Sequence, residues 1–342
     1  MAERVLSVRE LNRALLARQL LLERVELPLP RVVERICGIQ NQYAPNGYVR
    51  LWSCVEGFRR EDLTKALERR TIVQGTLMRE TIHLVSRRDY PLFAGAIRRS
   101  GQEWRLRVDK RTDDREVAAL ASRLRKELSG RTISRAELDA FIDGTPGVGH
   151  WLNMVRVPPA GTWEQRRAHT YGLAEEWVGP LDVDEDAAME HLVRRYLAAF
   201  GPASRDDAAK FTGIPKTRLK AVLERTALRR FVDEAGKELI DVPRGLLPDP
   251  ETPAPVRFLP TWDATLLVHA RRTGLLPESY RERIFNVRAP HSFSTFLVDG
   301  RVAGTWRYED GRVRLDPFER ISRPVRRELD AEAERLAAFH EA

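Results

Sequence analysis

The chain of 342 residues has little cysteine, little lysine and no long apolar run. Its two cysteines, Cys37 and Cys54, form no CxxC pair. A disulfide framework and a thiolate zinc site are therefore excluded, and both thiols read as small buried hydrophobes. No stretch approaches the roughly 18 apolar residues of a membrane span. The opening MAERVLSVRE has no apolar signal core. These absences point to a cytoplasmic protein, nucleoid-associated if its partner is DNA, and away from membranes. Seven histidines, at positions 83, 150, 169, 191, 269, 291 and 340, are scattered without metal-ligand spacing. HExxH, GxSxG, Walker and GxGxxG motifs are all missing. Metal, NTP and dinucleotide chemistry are thereby disfavoured, and no cofactor or metal is expected.

What the chain does have is charge. Charged residues make up 32% and hydrophobic ones 42%, a globular balance. The net charge is +8 and the pI is near 9.7, which favours a polyanionic partner. Only seven of the 58 basic residues are lysine. Arginine forks suit phosphate, although heavy arginine usage also follows from genome base composition.

Local signals suggest a mainly α protein with β wings, built of tandem helix-turn-helix units. Apolar spacing at three and four predicts a helix over residues 5–25, capped by Ser7 with Glu10 three residues on. Pro30 opens a second helix and Gly38 ends it, which leaves Gln40 and Gln42 near a helix terminus or in the following turn. A helix over 61–70 precedes TLMRETIHLVS, an alternating, β-branched stretch that reads as a strand pair. A second unit contains a helix from REVAALASRLRKELSG and another capped by Ser134 with Glu137. In the third, Ser204 and Asp207 cap a helix, Gly213 makes a tight turn and a second apolar-faced helix follows. A hairpin around Gly236 then completes the order of a winged helix. Beyond a proline-rich stretch, Asp299-Gly300 and Asp310-Gly311 join three strand-like runs as two-residue hairpin turns. A helix over 322–340 closes the chain. The expected units are 1–110, 111–182, 183–246 and 247–342.

Candidate functional residues follow from this layout. Arg79, His83, Arg87 and Arg88 flank or occupy the first hairpin. Lys216, Arg218 and Lys220 lie on the second helix of the clearest helix-turn-helix unit, and Arg271, Arg272 and Arg307 sit in the C-terminal lobe. All are candidate DNA contacts, although His83 also fits a packed strand histidine. Asp263, in an apolar setting, either pairs with Arg271 or Arg272 or acts as an acid or base; the pairing is favoured. Trp262 and Trp306 read as core aromatics.

Three segments together, GIQNQYAPNGYVRLWS, LMRETIHLVSRRDY and FLVDGRVAGTWR, resemble the bacterial winged-helix DNA glycosylases, the AlkZ/YcaQ-like family. The likeness runs from about residue 6 to 335. It implies tandem winged helices in a C-shaped molecule, and excision of bulky N7-alkylated purines. For some members it also implies unhooking of interstrand crosslinks, or protection of bacteria from their own DNA-alkylating antibiotics. It places the active site on a Gln-hydrophobic-Gln or Gln-hydrophobic-Asp motif. Gln40 and Gln42 match the glutamines, with Asn41 in the usually apolar middle position. The implied partner is double-stranded DNA carrying alkylated purines, bound by a monomer, since nothing reads as a long dimer helix. A non-catalytic winged-helix DNA-binding protein or transcriptional regulator is the alternative.

Overall fold

The computed structural model describes residues 4–110, 112–167, 169–267, 274–286 and 291–342. The chain begins with β1 (Val5–Leu6), α1 (Val8–Arg18), α2 (Leu29–Arg35), β2 (Ile39–Gln40), α3 (Ala44–Cys54) and α4 (Arg60–Glu68). The hairpin β3 (Ile72–Thr76) and β4 (Ile82–Ser86) leads into α5 (Asp89–Val108). Next come α6 (Asp114–Leu128), β5 (Ile133–Ser134), α7 (Arg135–Ile142), β6 (Met154–Arg156), β7 (Thr170–Leu173) and α8 (Ala174–Val178). Then α9 (Glu185–Phe200), α10 (Arg205–Thr212) and α11 (Lys216–Arg225) precede the hairpin β8 (Arg229–Asp233) and β9 (Glu238–Asp241). The C-terminal part comprises β10 (Arg257–Leu259), α12 (Ala264–Leu267), α13 (Arg281–Ile284), β11 (Phe285–Asn286), β12 (His291–Ser292), β13 (Thr295–Val298), β14 (Arg301–Glu309), β15 (Arg312–Pro317) and α14 (Arg323–Glu341). It is a mixed α/β protein.

The helix expected over 5–25 is shorter. The Ser7–Glu10 capping box forms and starts it at Val8. Val5 and Leu6 instead pair in parallel with Val232 and Asp233 of β8. The helix stops at Arg18, and Leu20 takes a left-handed φ of 58°. Burial of Leu20 and Leu21 offsets that strain. The other capping boxes, Ser134 with Glu137 and Ser204 with Asp207, form as read. Asp299-Gly300 and Asp310-Gly311 have positive φ at both residues, the two-residue turn their sequence favours.

A six-stranded sheet in the order β2-β4-β3-β6-β7-β5 draws strands from both sides of residue 110. The first two expected segments thus share one sheet. A four-stranded sheet, β10-β13-β14-β15, forms the C-terminal lobe, and β1 completes a three-stranded sheet with β8 and β9. The largest core joins α1, α5, α9, α10 and α11, where Tyr196, Phe200 and Phe211 form a triangle of mutually contacting rings. A second core packs α2, α3 and α4 against β10, β14 and α14.

Arg18, only 2% exposed, forks both nitrogens onto the Asp241 carboxylate at 2.7 and 2.9 Å. It also donates to the carbonyls of Leu197 and Leu246. A Cβ at Gly201 or Gly245 would come within 3 Å of this pair, so only glycine fits there. Without Arg18 the buried Asp241 keeps only the partly exposed Arg229 as a cation. Arg18→Ala is therefore expected to cost about 3 kcal/mol, the lower end for breaking a buried pair, read as a lower midpoint in urea unfolding.

Candidate active site

The motif begins where α2 ends. Cys37 and Gly38 take φ of 61° and 81° in succession, and the Gly38 N–H closes on the Val33 carbonyl at 2.8 Å. A Cβ on Gly38 would crowd Val85 and the Leu84 carbonyl. This turn delivers β2 to the edge of the six-stranded sheet, with Ile39 opposite Leu84 and Gln40 opposite His83. Gln40 therefore lies in a strand, not at a helix end, and only Gln42 occupies the turn that leads into α3.

Gln40 is buried and Gln42 exposed. The Gln40 Oε1 accepts from Arg79 Nη2 at 2.8 Å. The Gln42 Oε1 accepts from the Ile82 backbone N–H at 3.0 Å. Each amide is thereby oriented, and each oxygen keeps a second lone pair. Asn41 between them is buried and bonded on every side. Its backbone N–H donates to the Ile82 carbonyl, its Nδ2 to Gln74 Oε1, and its Oδ1 accepts from the Gly47 N–H. Gln74 passes the link to the Gly161 carbonyl. A polar residue is thus accommodated in the middle of the motif because its backbone N–H and both side-chain polar atoms find partners.

Arg79 serves the interior. It sits at φ 55° and is followed by Glu80 at φ 58°, two non-glycine residues in the left-handed region. Its guanidinium lies over the Phe211 ring at 4.8 Å and donates to the Phe211 carbonyl. Burial pushes its pKa down to about 10, so it stays charged at neutral pH. Helix α10 therefore braces Gln40 through Arg79. His83 is 2% exposed, which places it beside Gln40 and not at a DNA-facing surface. Its Nδ1 lies 3.0 Å from the Thr81 carbonyl. Burial, and then the Arg79 charge, push its pKa down to about 3.

The remaining basic candidates are dispersed. Arg87 and Arg88 are exposed at the start of α5. Lys216 and Lys220 are exposed on α11 and pair with Asp206 and Glu224. Arg218, on the same helix, turns inward to Ser100 and Glu185. Arg307 is exposed and paired with Glu309. Arg271 and Arg272 lie outside the described residues. Asp263 pairs with Arg50 at 3.1 Å, both buried. Burial raises its pKa against the lowering effect of Arg50. Cys37, Cys54 and Trp306 are buried as read, and Trp262 is half-buried. Sequence reading missed the Arg79–Gln40 contact and the Asn41 network; no spacing signal announces either. Among the described residues no His/Cys/Asp/Glu cluster could hold a metal ion, and no helix is long and apolar enough to cross a membrane.

Two outcomes follow. Asn41→Ala leaves the Gly47 N–H and Gln74 unmatched, at an expected cost of about 1–3 kcal/mol in urea unfolding. His83 has a folded pKa below its unfolded value, so its contribution is complete above about pH 6.5 and is lost as pH falls towards 3. His83→Gln should flatten the fall in thermal midpoint between pH 6.5 and 4; an unchanged fall would assign it to other groups.

A family model described as DNA glycosylase AlkZ-like matches residues 33–339. No curated protein sequence matches the chain. The solved structure of the Streptomyces sahachiroi DNA glycosylase AlkZ superposes with a TM-score of 0.82 at 19% sequence identity, covering 99% of this chain and 98% of that one. With nine-tenths of its length matched by the family model, this chain belongs to the AlkZ-like DNA glycosylase family.

Proposed function

We propose that this glycosylase hydrolyses the N-glycosidic bond of N7-alkylated purines, with Gln40 and Gln42 positioning the attacking water. The observation that carries this is the pair of oriented amides at a sheet edge, one braced by Arg79 and one by the Ile82 N–H. An amide does not titrate, so it cannot act as a strong base. It offers one acceptor oxygen and two donor hydrogens. An N7-alkylated purine already carries positive charge and leaves readily as its bond to C1′ stretches. The enzyme then needs little acid catalysis, and mainly a water held beneath C1′. Neutral amides suffice because the lesion supplies its own leaving-group activation.

The succession α10, Gly213 turn, α11 and the β8–β9 hairpin supports a winged-helix unit over 183–246. We extend this reading to units at 1–110 and 111–182, in a C-shaped monomer with the lobe 247–342. The exposed Arg87, Arg88, Lys216, Lys220 and Arg307 are assigned phosphate contacts. Arg79, His83 and Arg218 are spent inside the protein and are not.

The test is base release from a duplex carrying one N7-methylguanine, scored by alkaline cleavage. Gln42→Ala, at an exposed position, is expected to lower release on the order of 100-fold, and Gln40→Ala similarly. Wild-type release by both variants would remove the water-positioning role. If the native protein released nothing from this duplex but did act on a crosslinked one, the substrate would be narrowed to crosslinks.

A further inference from the structure

A cavity of about 660 Å³ lies on the far side of the loop that carries Arg79. Its walls are α5, the β3–β4 loop, the 147–153 segment and the turn between α10 and α11. Arg79 borders this cavity and also holds Gln40. The cavity and the glutamine motif are thus two sides of one strained loop. Two consecutive left-handed non-glycine residues are costly, and such strain gathers at functional sites.

The lining has a definite chemistry. Trp104 is 39% exposed, a large aromatic surface left open to solvent. The His150 ring stands edge-on to it at 6.4 Å. His150 packs so tightly on α5 that a Cβ at Gly101 would lie 2.5 Å from its Nδ1. Three arginines line the space: Arg79, Arg98 and Arg107. None makes an ion pair among the described residues. Arg79 bonds a carbonyl and an amide, and Arg98 only the Leu181 carbonyl at 3.4 Å. The one acidic lining residue, Glu80, is engaged by His150 at 3.2 Å. A planar aromatic wall beside unpaired guanidiniums suits a planar group attached to a phosphate, since bases stack on aromatics and guanidinium forks bind phosphate. The volume falls in the range of small-molecule sites.

We propose that this cavity is a nucleotide subsite, taking one unstacked nucleotide of the bound DNA with its base against Trp104 and its phosphate on Arg98 and Arg107. It rests on DNA being the substrate and not on the role given to Gln40 and Gln42. Enzymes that act on a base commonly draw a nucleotide from the stack, most readily one that is already unpaired. The cavity supplies the receiving surface without using the glutamines.

The test uses undamaged DNA, so it is independent of excision. Fluorescence anisotropy compares a fully paired labelled duplex with the same duplex carrying one bulged nucleotide. The native protein is expected to bind the bulged duplex about tenfold more tightly. Trp104→Ala should abolish that preference while leaving affinity for the paired duplex within about twofold. Trp104→Phe should keep most of it, which separates lost stacking from a disturbed fold. Arg98→Ala/Arg107→Ala should weaken binding of the bulged duplex and lower its salt slope by about one, for the one phosphate lost. No preference in the native protein overturns the proposal, as does a preference that survives Trp104→Ala or the double arginine variant. Binding of free 2′-deoxyguanosine monophosphate that Trp104→Ala abolishes, without any preference between duplexes, would assign the cavity to a free nucleotide and equally overturn it. Loss of excision in the Gln42 variant with the bulge preference intact would show that the two sites are separate.

Discussion

Much of this structure depends on burying charge inside α1. Arg18 meets Asp241, which also receives Arg229. The next residue, Gln19, donates to the Ala199 carbonyl and receives Arg50, and Arg50 in turn pairs with Asp263. One buried polar chain therefore runs from the β8–β9 hairpin, through the N-terminal helix and α3, into the C-terminal lobe. Isolated, any of these charges would be expensive to bury; each is tolerated because its partners are fixed in place. Midway along α1, Asn12 and Arg13 bond the 299–300 turn and the Thr252 carbonyl. Helix α1 thus acts as a spine that sets three parts of the chain against one another. Hydrophobic contact alone would permit neighbouring packings; directional bonds to buried partners do not.

The glutamine motif inherits its geometry from this frame. Arg50 stands on α3, the helix that follows Gln42 directly, so the relay fixes the far side of the turn. On the near side, α10 braces Gln40 through Phe211 and Arg79. Asn41 ties the middle of the motif to β3 and to the start of α3. Side chains held by packed neighbours lose little freedom when substrate arrives, which is the basis of positional catalysis. Location on an edge strand matters as well. An edge leaves one side of the backbone unpaired, and here the chain leaves the edge strand at the buried Gln40 and brings Gln42 to the surface two residues later.

Several features were legible in the sequence because their causes are local. Ser7 with Glu10, Ser134 with Glu137, and Ser204 with Asp207 cap helices through bonds that span three residues. Gly213 and the two Asp-Gly turns need left-handed backbone, which their side chains permit. The two glutamines were picked out by motif resemblance, and the family which that resemblance named is the one whose model matches residues 33–339. Residues 5–25 misled because local apolar spacing cannot register a parallel partner more than 200 residues away.

The sequence alone therefore determined the caps, the turns, the candidate motif and the basic balance that favours DNA, since each rests on neighbouring residues or on composition. Only the tertiary structure decided that Gln40 is buried and Gln42 exposed, that the Asn41 side chain is bonded at both its polar atoms, and that Arg79 faces inward to Gln40. It also decided that Asp263 pairs with Arg50. The reason is reach: Arg79 meets a carbonyl 132 residues away and Arg18 a carboxylate 223 residues away. Whether a polar side chain is buried depends on whether a distant segment supplies its partner, and no local pattern encodes that.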